Sequence, residues 1–323
     1  MTSRRDFLTV ASLAAGGLAL SPLVACSQDA PRPPDGGAAP PPPAAPAPGS
    51  LATRPIPRTG ESLPVIGMGT SGSLDVGDDM AAREPLQEAL RLFVASGATL
   101  IDTAPTYGSS EPVLGDLVAA ADARGKLFLA TKLSGVTGRD EGLAQFNGSL
   151  RDLHTDKVEL LQVHNLRDTD TQFALIEELK QQGKVRYSGL THYQEHAQAE
   201  LAAAMRRLKP DFVQINYSPV SRGAEREVLP LAQELGTAVI INRAFEDGRL
   251  FAQVKGRPLP DWAAEAGADS WAQLFLKFVL AHPAVNVVIP ATSKPRHQAD
   301  NLKAGVGPFL DETQRAALVA LLS

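Results

Sequence analysis

The sequence predicts a (β/α)8 barrel, and three observations carry that prediction. Eight short runs rich in Val, Ile and Leu recur between residues 65 and 291. The segments between them have helical periodicity. No change of composition divides the roughly 270 residues from Arg54 onward, a length typical of such a barrel. Apolarity is continuous within the runs, as in strands covered on both faces, which makes them parallel with helical crossovers.

Two segments precede the barrel. The stretch "SRRDFLTVASLAAGG" (Ser3–Gly17) pairs Arg4 and Arg5 ahead of a weakly apolar run, the pattern of a twin-arginine (Tat) export signal. Gly16, Gly17, Ser12, Ser21 and Pro22 dilute the run, which is too short and mild for a transmembrane helix. It ends in "LVAC", a lipobox pattern with Cys26 as the lipidation site. Residues 1–25 are therefore expected to be a signal peptide read by the Tat translocon, with the protein lipid-anchored in the cell envelope or periplasm. Cys26 is the only cysteine, so no intramolecular disulfide can form. Residues 26–53, dominated by Ala, Pro and Gly, have no apolar face to bury. They read as a disordered tether reaching roughly 60–90 Å when extended. The net charge of −5 offers no electrostatic case for nucleic acid.

The barrel itself is expected over 54–323. "RPIPRTGESLP" carries a turn at Thr59–Gly60 and suits a hairpin closing the barrel bottom. The strand runs follow: "VIGMG" (65–69), "TLIDTA" (99–104), "LFLATK" (127–132), "VELLQVHN" (158–165), "VRYSGLT" (185–191), "FVQINY" (212–217), "AVIINRA" (238–244) and "VNVVIPA" (285–291). Between the first two, "EPLQEALRLFVASG" sets Leu86, Leu90 and Phe93 on one helical face and stops at Gly97. "QFALIEELKQQGK" behaves alike and stops at Gly183.

Two motif matches fail on context. "GMGTSG" (Gly67–Gly72) fits G-x-G-x-x-G, but it runs into "SLDVGDDM", whose Asp75, Asp78 and Asp79 oppose phosphate. "HYQEH" (His192–His196) fits a zinc-peptidase pattern without a third ligand downstream. No metal site is expected.

In this architecture chemistry sits at the C-terminal strand ends. Asp102 ends the second run and Tyr107 follows it; Lys132 ends the third and His164 the fourth. Reduction of a carbonyl needs a hydride and a proton on the oxygen. Tyr107, with an ordinary pKa near ~10, needs a cation favouring its phenolate, and Lys132 held by Asp102 is that cation. His164 can orient the carbonyl oxygen by donating to it.

These motifs, "IDTAPTYG", "ATK" and "QVHN", spaced five, twenty-five and thirty-two residues apart between their key residues, resemble those of the aldo-keto reductases. The resemblance spans Arg54–Ser323 and implies an oxidoreductase using NADP(H) on aldehydes, ketones or sugar carbonyls. It implies catalytic roles for Asp102, Tyr107, Lys132 and His164. It also implies a cofactor site in "IPATSKPRHQADN", where Ser293 would cap a helix with Pro295 in its first turn. Thr292, Lys294, Arg296 and His297 would take the 2′-phosphate end, and Asp300 and Asn301 the adenine. Gln214 would bind the nicotinamide amide and Arg243 the pyrophosphate. Thr191 and His192 stand where many members have Ser-Asn, and Asn242 where many have a stacking tyrosine. Ala291 replaces a common lysine, which leaves NAD as the alternative cofactor.

A second reading is a regulatory envelope lipoprotein that binds nucleotide without turnover. A barrel hydrolase or metal enzyme lacks its constellation. The substrate loops are expected in 70–80, 165–172 and 243–267, with Phe245, Phe251 and Trp262 as apolar walls. Because the chain closes on a helix pattern, "DETQRAALVALLS", an open pocket mouth is expected. The export route suggests that the nucleotide is bound before translocation and stays bound.

Overall fold

The computed structural model describes residues 49–323. The expected leader (1–25), Cys26 and the linker as far as residue 48 lie outside the described residues. Leu51 and Ala52, on the linker side of the expected boundary at Arg54, are buried against the barrel.

A hairpin opens the fold. Strand β1 (Thr53–Pro55) pairs antiparallel with β2 (Ser62–Pro64). Its turn is closed by Gly60 N–H donating to Ile56 O at 2.8 Å, with Gly60 at φ +74°, a conformation glycine adopts at little cost.

Eight parallel strands follow: β3 (Met68–Gly69), β4 (Leu100–Asp102), β5 (Phe128–Leu133), β6 (Val158–His164), β7 (Val185–His192), β8 (Phe212–Asn216), β9 (Ala238–Asn242) and β10 (Val287–Val288). Each pairs with its sequence neighbour, and parallel bridges Ile66–Val288 and Gly69–Ala291 close the ring. Closure explains the first two glycines of the false nucleotide fingerprint. A Cβ on Gly67 would lie 2.8 Å from Leu100 O, and one on Gly69 2.8 Å from Ile289 O. They let barrel backbones approach.

The helices are α1 (Met80–Ala95), α2 (Ser110–Ala120), α3 (Arg139–Asp152), α4 (Thr169–Gln181), α5 (Gln198–Leu208), α6 (Val228–Leu235), α7 (Arg249–Gln253), α8 (Trp271–Leu280), α9 (Pro295–Lys303) and α10 (Glu312–Leu322). Helix α1 buries Leu86, Leu90 and Phe93 as its spacing implies. It starts earlier than the apolar pattern shows, because the Asp79 carboxylate accepts from the N–H groups of Ala81 and Ala82. Gly97 and Gly183, at φ +82° and +72°, follow the ends of α1 and α4.

Along β5, Leu129 and Leu133 face the helices, whereas Phe128 and Ala130 face the barrel interior. The lower interior is apolar. Ile56 and Leu63 of the hairpin join Leu100, Phe128, Leu160, Tyr187 and Phe212 there, with Tyr187 and Phe212 ring centroids 5.3 Å apart. Further along the same strands, by two residues or, for Lys132, by four, Asp102, Lys132, Gln162 and Gln214 are all buried. The interior therefore turns polar at its C-terminal end, and this locates the site.

Candidate active site

The core of the site is a buried ion pair. Lys132 Nζ donates to Asp102 Oδ2 at 2.6 Å and to Thr103 O at 2.8 Å. Asp102 Oδ1 accepts from Gln214 Nε2 at 2.7 Å and Gln162 Nε2 at 3.0 Å. Gly189 makes room for this network, since a Cβ there would lie 2.7 Å from Gln162 Cγ. Burial works against the Lys132 ammonium, but the charge of Asp102 and the interaction with Tyr107 outweigh it and hold its pKa above the ordinary lysine value.

Tyr107 lies over this pair, with Lys132 Nζ 4.8 Å from its ring centroid. A tight turn presents it: Tyr107 N–H donates to Ala104 O, and Gly108 at φ +60° reverses the chain. The acidic loop before α1 pins that turn. Asp75 accepts from Ser109 N–H at 2.8 Å and Ser109 Oγ at 2.9 Å, packing where a Cβ of residue 108 would be.

The His164 ring meets Tyr107 edge-on at 6.0 Å. Burial, then the charges of Lys132 and His192, push its pKa down to about 3, so the imidazole is neutral at physiological pH. The sign follows from linkage. A depressed folded pKa gives stability that is complete above the ordinary 6.5 and is lost as pH falls towards 3. The His164 ring carbons should show no titration by NMR between pH 8 and pH 5. A midpoint near 6.5 would refute the buried, cation-flanked environment.

Tyr107 and His164 open onto a cavity of about 670 Å³, also lined by Asp102, Thr191, Gln214 and Arg243. Lys132 lies beneath its floor, fully buried. Of the expected apolar walls, Phe245 and Phe251 line it, 5.0 Å apart. Trp262 instead packs on the helical core. The wall also includes Thr70, Ser71, Asn165 and Tyr193, and its last residue in sequence is Ala291.

Several expected cofactor residues have protein contacts of their own. His192 is not on the cavity wall; its Nδ1 accepts from Gln194 N–H and its ring stacks on Tyr193. Arg243, at φ +52°, lies over the Tyr193 ring and pairs with Asp247. Ser293 does not cap α9. Lys294 is the N-cap residue, with its N–H bonded to Thr292 Oγ1 and no side chain on the helix end. Asp300 is already engaged, accepting from Ser270 Oγ and Gln273 Nε2 at 2.7 and 2.6 Å. Asn301 is buried, whereas Lys294, Arg296 and His297 are exposed at the α9 N-terminus. Burial, followed by the neighbouring charges of Arg296 and Lys294, holds the His297 pKa below its ordinary value.

Two residues that contact the side chains of the site escaped the sequence reading: Gln162 donates to Asp102, and Ser134 Oγ lies 2.6 Å from His164 Nδ1. Gln162 and Ser134 lie two residues from His164 and Lys132, on the same strand faces, so period-two alternation could have found both. Among the described residues no three His, Cys, Asp or Glu side chains cluster to hold a metal.

Known proteins are similar to this chain over much of its length. The profile described as "Aldo/keto reductase family" matches residues 65–322. The methylglyoxal reductase YeaE of Escherichia coli is 30% identical over 246 residues, covering 74% of this chain and 84% of that relative. The aldo-keto reductase YhdN of Bacillus subtilis is 30% identical over 194 residues, 54% of this chain and 56% of its own. An aldo/keto reductase from Klebsiella pneumoniae, solved in complex with NADP and acetate, superposes with a TM-score of 0.70 at 25% identity, covering 85% of this chain and 96% of its own. With the family profile spanning nearly the whole barrel and the Asp-Lys pair, tyrosine and histidine assembled at its C-terminal end, this chain belongs to the aldo/keto reductase family.

Proposed function

We propose that the protein is an NADP(H)-dependent oxidoreductase. It reduces aldehydes or ketones, or oxidises the matching alcohols or sugars, with Tyr107 as general acid and base. The observation that carries this reading is the buried Asp102–Lys132 pair under Tyr107, facing a cavity that His164 shares.

The chain has features that fit a nicotinamide dinucleotide. Asn242 Oδ1 is buried without a partner beside Gln214, to which Asn242 Nδ2 donates at 3.2 Å, and it suits an amide N–H. Lys294 and Arg296 stand at an uncapped helix N-terminus without a carboxylate partner among the described residues, which suits a phosphate. A Klebsiella pneumoniae relative of 26% identity was solved with NADPH. When bound, the reduced nicotinamide supplies the hydride. Tyr107 delivers the proton to the carbonyl oxygen, and Lys132 stabilises the charge left on the phenolate oxygen. His164, neutral, orients that oxygen by donating from Nε2. Asp102 holds Lys132 in place, and Gln162 and Gln214 hold Asp102.

Steady-state NADPH oxidation with a panel of aldehydes and ketones, short keto-aldehydes included, tests the reading. Tight NADPH binding without consumption by any carbonyl would favour the regulatory alternative. Arg296→Glu should raise KM for NADPH about tenfold or more while leaving NADH kinetics nearly unchanged, because it reverses a charge at the 2′-phosphate. Equal effects on both nucleotides would remove Arg296 from that role. From the leader we also propose Tat export and lipid anchoring at Cys26. Membrane fractionation of Cys26→Ser cells tests the anchor, since a variant that stays membrane-bound contradicts it.

A further inference from the structure

His164 can serve the carbonyl oxygen as a donor only if its single ring proton sits on Nε2. A neutral imidazole has two tautomers, and a neighbour bonded to one nitrogen decides between them. Here that neighbour is Ser134, two residues past Lys132 at the end of β5. Ser134 Oγ lies 2.6 Å from His164 Nδ1, and Ser134 is 3% exposed. Among the described residues its hydroxyl has no other hydrogen-bond partner. Nε2 has no hydrogen-bond partner among the described residues, and it belongs to a ring on the cavity wall.

We propose that Ser134 is a positioning residue that sets His164 in the tautomer carrying its proton on Nε2. The bond between the two side chains can run in either direction. If Nδ1–H donated to Oγ, the hydroxyl proton would be left buried without an acceptor, an unfavourable arrangement. If Oγ–H donates to Nδ1, both groups are satisfied and Nε2–H faces the cavity. The serine cannot easily turn away. Its N–H donates to Gln145 Oε1 at 2.7 Å, and its carbonyl accepts from Gln145 Nε2 at 2.9 Å. The amide of α3 thus clamps the backbone that carries the hydroxyl.

The kinetic part of this proposal rests on the oxidoreductase reading, whereas the tautomer does not, and the experiment separates them. Long-range proton–nitrogen correlation spectra of the 15N-labelled protein without nucleotide report which His164 nitrogen is protonated. His164→Gln assigns the signals. The wild-type protein should show a protonated Nε2 and an unprotonated Nδ1; the reverse pattern overturns the proposal without need of any variant. Ser134→Ala should shift the spectrum towards a mixture of tautomers and lower kcat about three- to tenfold, with KM for NADPH unchanged. Ser134→Thr, which keeps the hydroxyl, should restore both. A Ser134→Ala protein that keeps a pure Nε2–H tautomer, or that loses it without a fall in kcat, refutes the positioning role. A serine-dependent tautomer in a protein that reduces no carbonyl would instead overturn the oxidoreductase reading.

Discussion

Replacing Tyr107 with phenylalanine should lower kcat by ~10²–10⁴ and leave NADPH affinity within about twofold. The substitution removes one oxygen and keeps the ring, so the edge contact with His164 and the shape of the cavity persist. Tyr107 lies over a buried ammonium, with Lys132 Nζ 4.8 Å from its ring centroid, whereas the other phenol on the wall, Tyr193, has Arg243 over its ring but is 40% exposed to water. Stopped-flow single turnovers with prebound NADPH would isolate the chemical step. Rates within about threefold of wild type would move the proton to another source, with Ser71 and Tyr193 the hydroxyls next in line on the same wall.

Lys132→Met should damage both turnover and folding. Turnover falls by ~10² or more because the cation beside Tyr107 is gone. Stability falls because Asp102, 2% exposed, loses its counter-charge; breaking a buried pair from one side costs ~3–5 kcal/mol. The two amides that still donate to Asp102 Oδ1 place the loss towards the lower end. The double variant Lys132→Met/Asp102→Leu separates the two roles. It should regain much of the stability in urea unfolding, since no charge is left stranded, while remaining inactive. The pH dependence has a definite sign. The raised lysine pKa gives stability that is complete below the ordinary lysine value and is lost as pH climbs through the folded one. Lys132→Met should lack this alkaline loss. A fully stable single variant would mean that the glutamine amides alone satisfy Asp102.

How far the sequence revealed the site depends on the range of the interactions involved. Asp102, Lys132 and His164 were legible because each is a polar residue ending an otherwise apolar strand. Local rules placed the ends of α1 and α4 through Gly97 and Gly183. The three acids of 75–79 were read only as an obstacle to phosphate. In the fold Asp75 pins the Tyr107 turn, Asp79 caps α1 and Asp78 pairs with Arg83. Their partners are set by chain reversals that no short pattern encodes. The Gln145 clamp on Ser134 was equally hidden, since it depends on how α3 seats on β5. Trp262 was assigned to the cavity by hydrophobicity alone, and hydrophobicity does not tell one apolar surface from another. At the start of α9, the proline in the first turn was read correctly and the serine cap was not.

The ring closure of the barrel also bears on how the chain is made. Ala52 N–H bonds to Gly305 O, and the Arg54 guanidinium reaches the carbonyls of Leu280, His282 and Val285, the His282 contact joining residues 228 positions apart. Bridges from Ile66 to Val288 and from Gly69 to Ala291 span a similar distance. A chain emerging from the ribosome can pair β3 to β9 in succession, each with the strand just synthesised, but it cannot seal the seam until residues near 290 are out. Until then β3 offers an unpaired edge to any neighbouring polypeptide. The last part of translation, rather than the first, is therefore the interval in which this barrel depends most on chaperone protection.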